Sequence, residues 1–121
     1  MITGIGVDLI EIDRVVKACE KETFLKRNFT EKEIELILLD KKKAADNFSV
    51  KEAVAKMLGT GFLGFAPIDI EVLRNSLGKP YVNLYGKAAK LAKEQGTRII
   101  HVTITNTKEL SNAFVIGETG E

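Results

Sequence analysis

The chain has 121 residues, 45% of them hydrophobic and 29% charged, with a formal net charge of +1. That length predicts a single domain over 1–121 with a buried core of its own. The near-zero charge excludes long-range attraction of the whole molecule to nucleic acid or membrane, so any electrostatic steering must come from a local patch.

The first ten residues alternate as a strand, Ile5, Val7 and Leu9 on one side and Gly4, Gly6 and Asp8 on the other. The glycines are expected to leave open space on their side, with Asp8 beside it. Ile12, Val15, Val16 and Cys19 recur at helical spacing, and Arg14, Lys17 and Lys21 form a basic stripe at i, i+3 and i+7 that Lys26 and Arg27 extend. Such a stripe is ordinarily a solvated helix face; beside the Asp8 strand it would suit an acidic partner. Thr30 to Glu33 reads as a capping box opening a second helix through Ile34, Ile37 and Leu38. Lys41 to Lys43 make a charged connection. A third helix is expected from about Asp46 to Leu58, with Gly59 as its stop. Ile68, Ile70 and Val72 predict a strand, 75–79 a turn, and Pro80 to Leu84 its return. A helix over 86–95 precedes a strand over 98–105, in which Ile100, Val102 and Ile104 face inward and His101, Thr103 and Thr105 outward; Ala113 to Ile116 close a last hairpin. This order predicts an α+β fold with a mostly antiparallel sheet packed with helices.

The lone Cys19 has no internal disulfide partner, which suits a reducing, cytoplasmic setting. No secretory signal or membrane-spanning stretch is legible.

Chemistry concentrates on the third helix. Phe48, Glu52 and Lys56 share one face at i, i+4 and i+8, apart from the apolar face of Val50, Val54 and Met57. An isolated Glu-x-x-x-Lys is ordinarily a plain surface ion pair. Here Lys51 adds a cation beside Glu52, and Gly59 and Gly61 can turn backbone N–H groups toward an anion. With Asp8, two carboxylates in cationic, glycine-rich surroundings suit a magnesium-bound polyphosphate, because Mg²⁺ takes one or two protein carboxylates and completes its shell with water and phosphate. Gly78 and Lys79 read first as a hairpin turn, though they would also suit a phosphate. His101, the only histidine, reads first as a structural residue, yet it shares a polar face with Thr103 and Thr105.

Taken together, Gly4 to Ile12, Phe48 to Gly61, Asn75 to Pro80 and His101 to Ile104 resemble the holo-acyl-carrier-protein synthase family, the small bacterial 4′-phosphopantetheinyl transferases. The likeness implies transfer of the phosphopantetheine arm of coenzyme A to a serine of apo-acyl carrier protein, with release of adenosine 3′,5′-bisphosphate, in fatty acid biosynthesis. It implies Mg²⁺ held by Asp8 and Glu52, and Lys56 stabilising the departing phosphate. It implies a coenzyme site lined by Phe48, Lys51, Gly59, Gly61, Gly78, Lys79, Pro80 and His101. The proton acceptor stays open between Glu52 acting through a water and a metal-bound hydroxide. The family is typically a homotrimer with sites shared between subunits, and Arg14, Lys17 and Lys21 would dock the acidic carrier. The chain departs from the family at Asn47, where many members carry Arg to contact coenzyme phosphate, and at Asn106, where many carry His; Asn106 is expected to face the ligand at most. Two other readings compete, a magnesium-dependent hydrolase of nucleotide pyrophosphates and a non-catalytic relative that keeps only binding.

Overall fold

The computed structural model describes residues 1–120. In chain order the elements are β1 (Ile2–Glu11), α1 (Ile12–Ala18), α2 (Glu22–Asn28), α3 (Glu31–Leu39), α4 (Lys42–Leu58), a 3₁₀ turn (Pro67–Asp69), β2 (Ile70–Arg74), β3 (Pro80–Leu84), α5 (Gly86–Glu94), β4 (Ile99–Asn106) and β5 (Leu110–Glu118). The α+β expectation is met. The strands form two antiparallel sheets, a three-stranded β1-β5-β4 sheet and the separate β2-β3 hairpin.

Several boundaries differ from those predicted. The α2 helix was not foreseen; its seven residues carry too short an apolar pattern to separate from the preceding basic run. α1 stops at Ala18, so Lys21 lies outside it and occupies the N-cap of α2. The single-helix stripe of Arg14, Lys17 and Lys21 is thereby corrected to two residues on α1 and one on the following turn. α4 begins at Lys42, inside the expected lysine connection, because Ala44 and Ala45 are strong helix formers buried against α1. The capping box forms as predicted, with Thr30 Oγ1 accepting from Glu33 N and Glu33 Oε1 accepting from Thr30 N.

The 17-residue α4 is the central element, with twelve of its residues buried. Val50, Ala53, Val54, Met57 and Leu58 pack with Ile70 and Val72 of β2, Ala88 and Ala92 of α5, and Ala113 and Val115 of β5. Its N-terminal half joins a second cluster of Ile12, Val15, Phe29 and Ile37. The glycines of β1 explain how closely helix and strand approach. A Cβ at Gly6 would stand 1.9 Å from the Ala53 carbonyl oxygen, and one at Gly4 would stand 2.3 Å from that of Met57. The space beside these glycines is therefore filled by the α4 backbone, which corrects the expectation of open room there.

The same packing turns the other face of β1 outward. Ile5, Val7 and Leu9 are 61%, 52% and 61% exposed, and Phe114 of β5, opposite Val7, is also exposed. A contiguous apolar sheet face left in solvent is the usual mark of a surface that meets a partner. No helix among the described residues is long and apolar enough to cross a membrane.

Candidate active site

Close packing of β1 on α4 brings Asp8 beside the Phe48–Glu52–Lys56 face. Lys56 Nζ lies 3.0 Å from Asp8 Oδ1 and donates to the Val7 carbonyl at 3.1 Å. The i, i+4 ion pair between Glu52 and Lys56, the bland reading of that spacing, does not form; the lysine crosses to the strand. The strand is held from its other side by Asn112 Nδ2, which donates to the Asp8 carbonyl at 2.8 Å.

The two carboxylates are in an unstable state by themselves. Asp8 Oδ2 is buried and has no hydrogen-bond partner. Burial raises the Glu52 pKa above the usual carboxylate range, the charge of Asp8 raises it further, and Lys56 opposes both. A buried, unpaired carboxylate oxygen costs free energy unless something cationic or donating meets it. A carboxylate whose charge is disfavoured, beside a second one with an unmet oxygen, fits a small hard dication. Among the described residues no three acidic, His or Cys side chains converge; two carboxylates are within what Mg²⁺ uses when water and phosphate complete its octahedron.

Gly59 and Gly61 continue from α4 with φ of 83° and 58°, and a side chain at either would meet nothing within 4 Å. Gly59 donates to the Lys56 carbonyl and ends the helix, as predicted. Phe48 lies one turn before Glu52, its ring centroid 6.3 Å from that of Phe24 and 6.4 Å from that of Phe29. It lines a cavity of about 480 Å³ with Leu9, Glu11, Arg14 and Leu110, a hollow between α4, the end of β1 and the first helix that Asp8, Glu52 and Lys56 do not line.

A second hollow gathers the other predicted residues. Lys79 and Pro80, following the Asn75 turn, share a cavity of about 400 Å³ with Tyr81 and with His101 of β4. Asn75 Oδ1 accepts from the backbone of Leu77 and Lys79, which together with Gly78 at φ 86° fixes the turn. This cavity is not lined by Asp8, Glu52 or Lys56. Within one chain the predicted site is thus two separate groups.

Lys51 is not at the surface, contrary to expectation. It is fully buried, its Nζ 2.7 Å from Glu33 Oε1 and donating to the carbonyls of Pro67 and Ile70. The ammonium also sits 5.1 Å from the centre of the Phe29 ring. Burial pushes the lysine pKa down and that of Glu33 up, while their mutual contact opposes both shifts. Lys51 is a strut between α4, α3 and the start of β2, and it does not line a ligand site.

Both departures from the family pattern are likewise structural. Asn47 is wholly buried; its amide donates to Glu33 Oε2 and the Val72 carbonyl, and its oxygen accepts from Arg74 Nη2 at 2.9 Å. Asn106 donates to both oxygens of Asp46, which also accepts from Ser111 Oγ at 2.7 Å. Its amide nitrogen is thus held by a buried carboxylate, while the residue itself stays exposed. Sequence reasoning passed over Arg74, Tyr81 and Glu118. The last lies 2.9 Å from His101 Nε2, a contact that only the β4–β5 register reveals.

A small α+β unit that sets a β1 carboxylate, Asp8, beside Glu52 and Lys56 of its central helix is the frame of a group-transfer protein, and sequence comparison makes it specific. Residues 4–109 match the model of the 4′-phosphopantetheinyl transferase superfamily. The chain belongs to that superfamily, within its holo-acyl-carrier-protein synthase family. It is 66% identical over 118 residues to the holo-[acyl-carrier-protein] synthase of Lachnoclostridium phytofermentans, covering 98% of this chain and 97% of the relative. Its structure superposes on the Neisseria meningitidis holo-[acyl-carrier-protein] synthase with a TM-score of 0.87 at 28% identity, covering 98% and 99% of the two chains. A Bacillus anthracis holo-(acyl-carrier-protein) synthase in complex with CoA (3′,5′-ADP) gives 0.81 at 31% identity, with 99% of each chain covered.

Proposed function

We propose that this chain transfers the 4′-phosphopantetheine arm of coenzyme A to a serine hydroxyl of apo-acyl carrier protein, releasing adenosine 3′,5′-bisphosphate, in support of fatty acid biosynthesis. The observation that carries the reading is the orphaned, buried Asp8 Oδ2 beside a Glu52 whose charge is disfavoured, with Lys56 on the opposite oxygen of Asp8. Asp8 and Glu52 would hold Mg²⁺, which when bound supplies positive charge against the coenzyme pyrophosphate. Lys56, more than half exposed, can leave Asp8 for an anion and stabilises the bisphosphate as the serine oxygen–phosphorus bond forms and the pyrophosphate bridge breaks. Gly59 and Gly61 leave the approach open, and Phe48 supplies an apolar wall.

The two groups of site residues are completed by a neighbouring subunit. In this reading the apolar face of Ile5, Val7, Leu9 and Phe114 is the contact of a homotrimer, and the Lys79–His101 cavity of one subunit serves the carboxylates of the next. Arg14 and Lys17, both exposed on α1, and Lys21 beyond them dock the acidic carrier.

The test is intact-mass spectrometry of an apo-acyl carrier protein incubated with this protein, coenzyme A and Mg²⁺, with EDTA and Glu52→Gln as controls. A gain of one phosphopantetheine arm, absent from both controls, is expected. Release of free phosphopantetheine without carrier modification would replace the transferase reading with a hydrolase.

A further inference from the structure

Glu118 belongs to no predicted site, yet it determines how the only imidazole of the chain is presented. β4 and β5 pair with Ile99 opposite Glu118 and His101 opposite Ile116, which makes Glu118 and His101 diagonal neighbours on one sheet face. Diagonal neighbours in an antiparallel pair are within reach of long side chains. Here Glu118 Oε1 and His101 Nε2 are 2.9 Å apart. An ionised carboxylate only accepts, so the ring nitrogen facing Glu118 carries the proton. The hydrogen bond from the ring holds the Glu118 carboxyl below its usual range. With Nε2 engaged, Nδ1 is the ring nitrogen left for the cavity shared with Asn75, Lys79, Pro80 and Tyr81. Both side chains are about half exposed, at 56% and 40%, so packing by itself does not fix the ring. The carboxylate does.

We propose that Glu118 is a positioning residue for coenzyme A: by holding His101 through Nε2 it sets Nδ1 toward the Lys79–Pro80 cavity, where that nitrogen contacts the coenzyme. The proposal rests on the assignment of this cavity to coenzyme A in the preceding section. Glu118 itself does not line that cavity. Its loss therefore weakens binding of the coenzyme and leaves the chemical step at Asp8, Glu52 and Lys56 as it was.

The experiment compares wild type, Glu118→Leu, His101→Ala and the double variant; leucine removes the acceptor, which glutamine would keep. It measures coenzyme A affinity by calorimetry, kcat and KM for transfer to a carrier protein, and the nitrogen-15 spectrum of the imidazole. The chain has one histidine, so no other imidazole overlaps, and couplings to the two ring carbon-bound protons tell Nδ1 from Nε2. The expected result is a three- to tenfold rise in KM for coenzyme A in Glu118→Leu, roughly what one hydrogen bond contributes, with kcat within twofold of wild type. Coenzyme binding to wild type should shift the Nδ1 resonance, and Glu118→Leu added to His101→Ala should change nothing further. An equal effect of Glu118→Leu with and without His101, or none in either background, overturns the positioning role while coenzyme binding by wild type keeps the cavity assignment intact. Wild type that binds coenzyme A with the same affinity as His101→Ala, and with no shift at Nδ1, overturns both the assignment and the proposal.

Discussion

Gly6 tests the link between packing and activity most directly. An alanine there places its Cβ 1.9 Å from the Ala53 carbonyl oxygen and 2.9 Å from Met57 N, where side-chain carbons do not approach closer than about 3.0 Å. The obstacle is the backbone of α4, which cannot rotate aside as a side chain would. Helix and strand must separate by at least about 1.1 Å at the point where Val50, Ala53, Val54 and Met57 fill the core. Overpacking of a well-filled core costs about 1–3 kcal/mol, and a rigid backbone obstacle belongs at the upper end or beyond. Against a typical stability of about 5–15 kcal/mol the fold survives in a weakened form. The displacement acts on β1 against α4, hence on Asp8 against Glu52 and Lys56, and a misplacement of about 1 Å at reacting groups costs on the order of 10²-fold in rate. Gly6→Ala should thus lower the urea midpoint and, in the fraction that remains folded, reduce kcat by one to two orders of magnitude. The assays are urea unfolding followed by circular dichroism, and transfer to a carrier protein at a temperature where the variant is native. Unchanged midpoint and unchanged kcat together would refute the account of β1 and α4.

Other outcomes follow from the same structure. Lys51→Met leaves the Glu33 carboxylate buried without its cation, and should destabilise by about 3–5 kcal/mol; adding Glu33→Gln should recover part of that loss in chemical denaturation. Glu71 is buried, which raises its pKa, but hydrogen bonds from Thr30, Asn83 and Tyr85 outweigh the burial and hold it below 4.5. A depressed folded pKa contributes stability that is present above the unfolded value and is lost as pH falls through the folded one. Glu71→Gln should therefore lower stability at pH 7 and flatten its decline below about pH 4.5 in acid unfolding. Charge reversal at Lys17 and Lys21 should weaken carrier binding at least tenfold and spare coenzyme A binding, since these exposed cations line neither the Phe48 cavity nor the Lys79–His101 cavity. Equal loss of both affinities in a titration would count against docking on α1.

Local repetition made part of this protein legible from its residues. The 3.6 period put Phe48, Glu52 and Lys56 on one side of α4, the Thr30–Glu33 spacing marked the start of α3, and Gly59 marked the end of α4; each depends on atoms a few residues apart, which the chain places together wherever a helix forms. The same period carries a warning that Lys51 shows: one residue before Glu52 is a turn of about 100° away, and that rotation takes the lysine from the ligand face into the core. Only tertiary structure supplied its partner, Glu33, from eighteen positions earlier. It also decided that the glycines of β1 admit a helix rather than a ligand, and that Lys56 pairs with Asp8 rather than Glu52. The gathering of Lys79 with His101, and the hold of Glu118 on that ring, depend equally on pairing between distant segments. A sequence states which groups are available and which neighbours share a face. Which distant group meets which is set by close packing and strand register, and the chemistry of the site rests on those contacts.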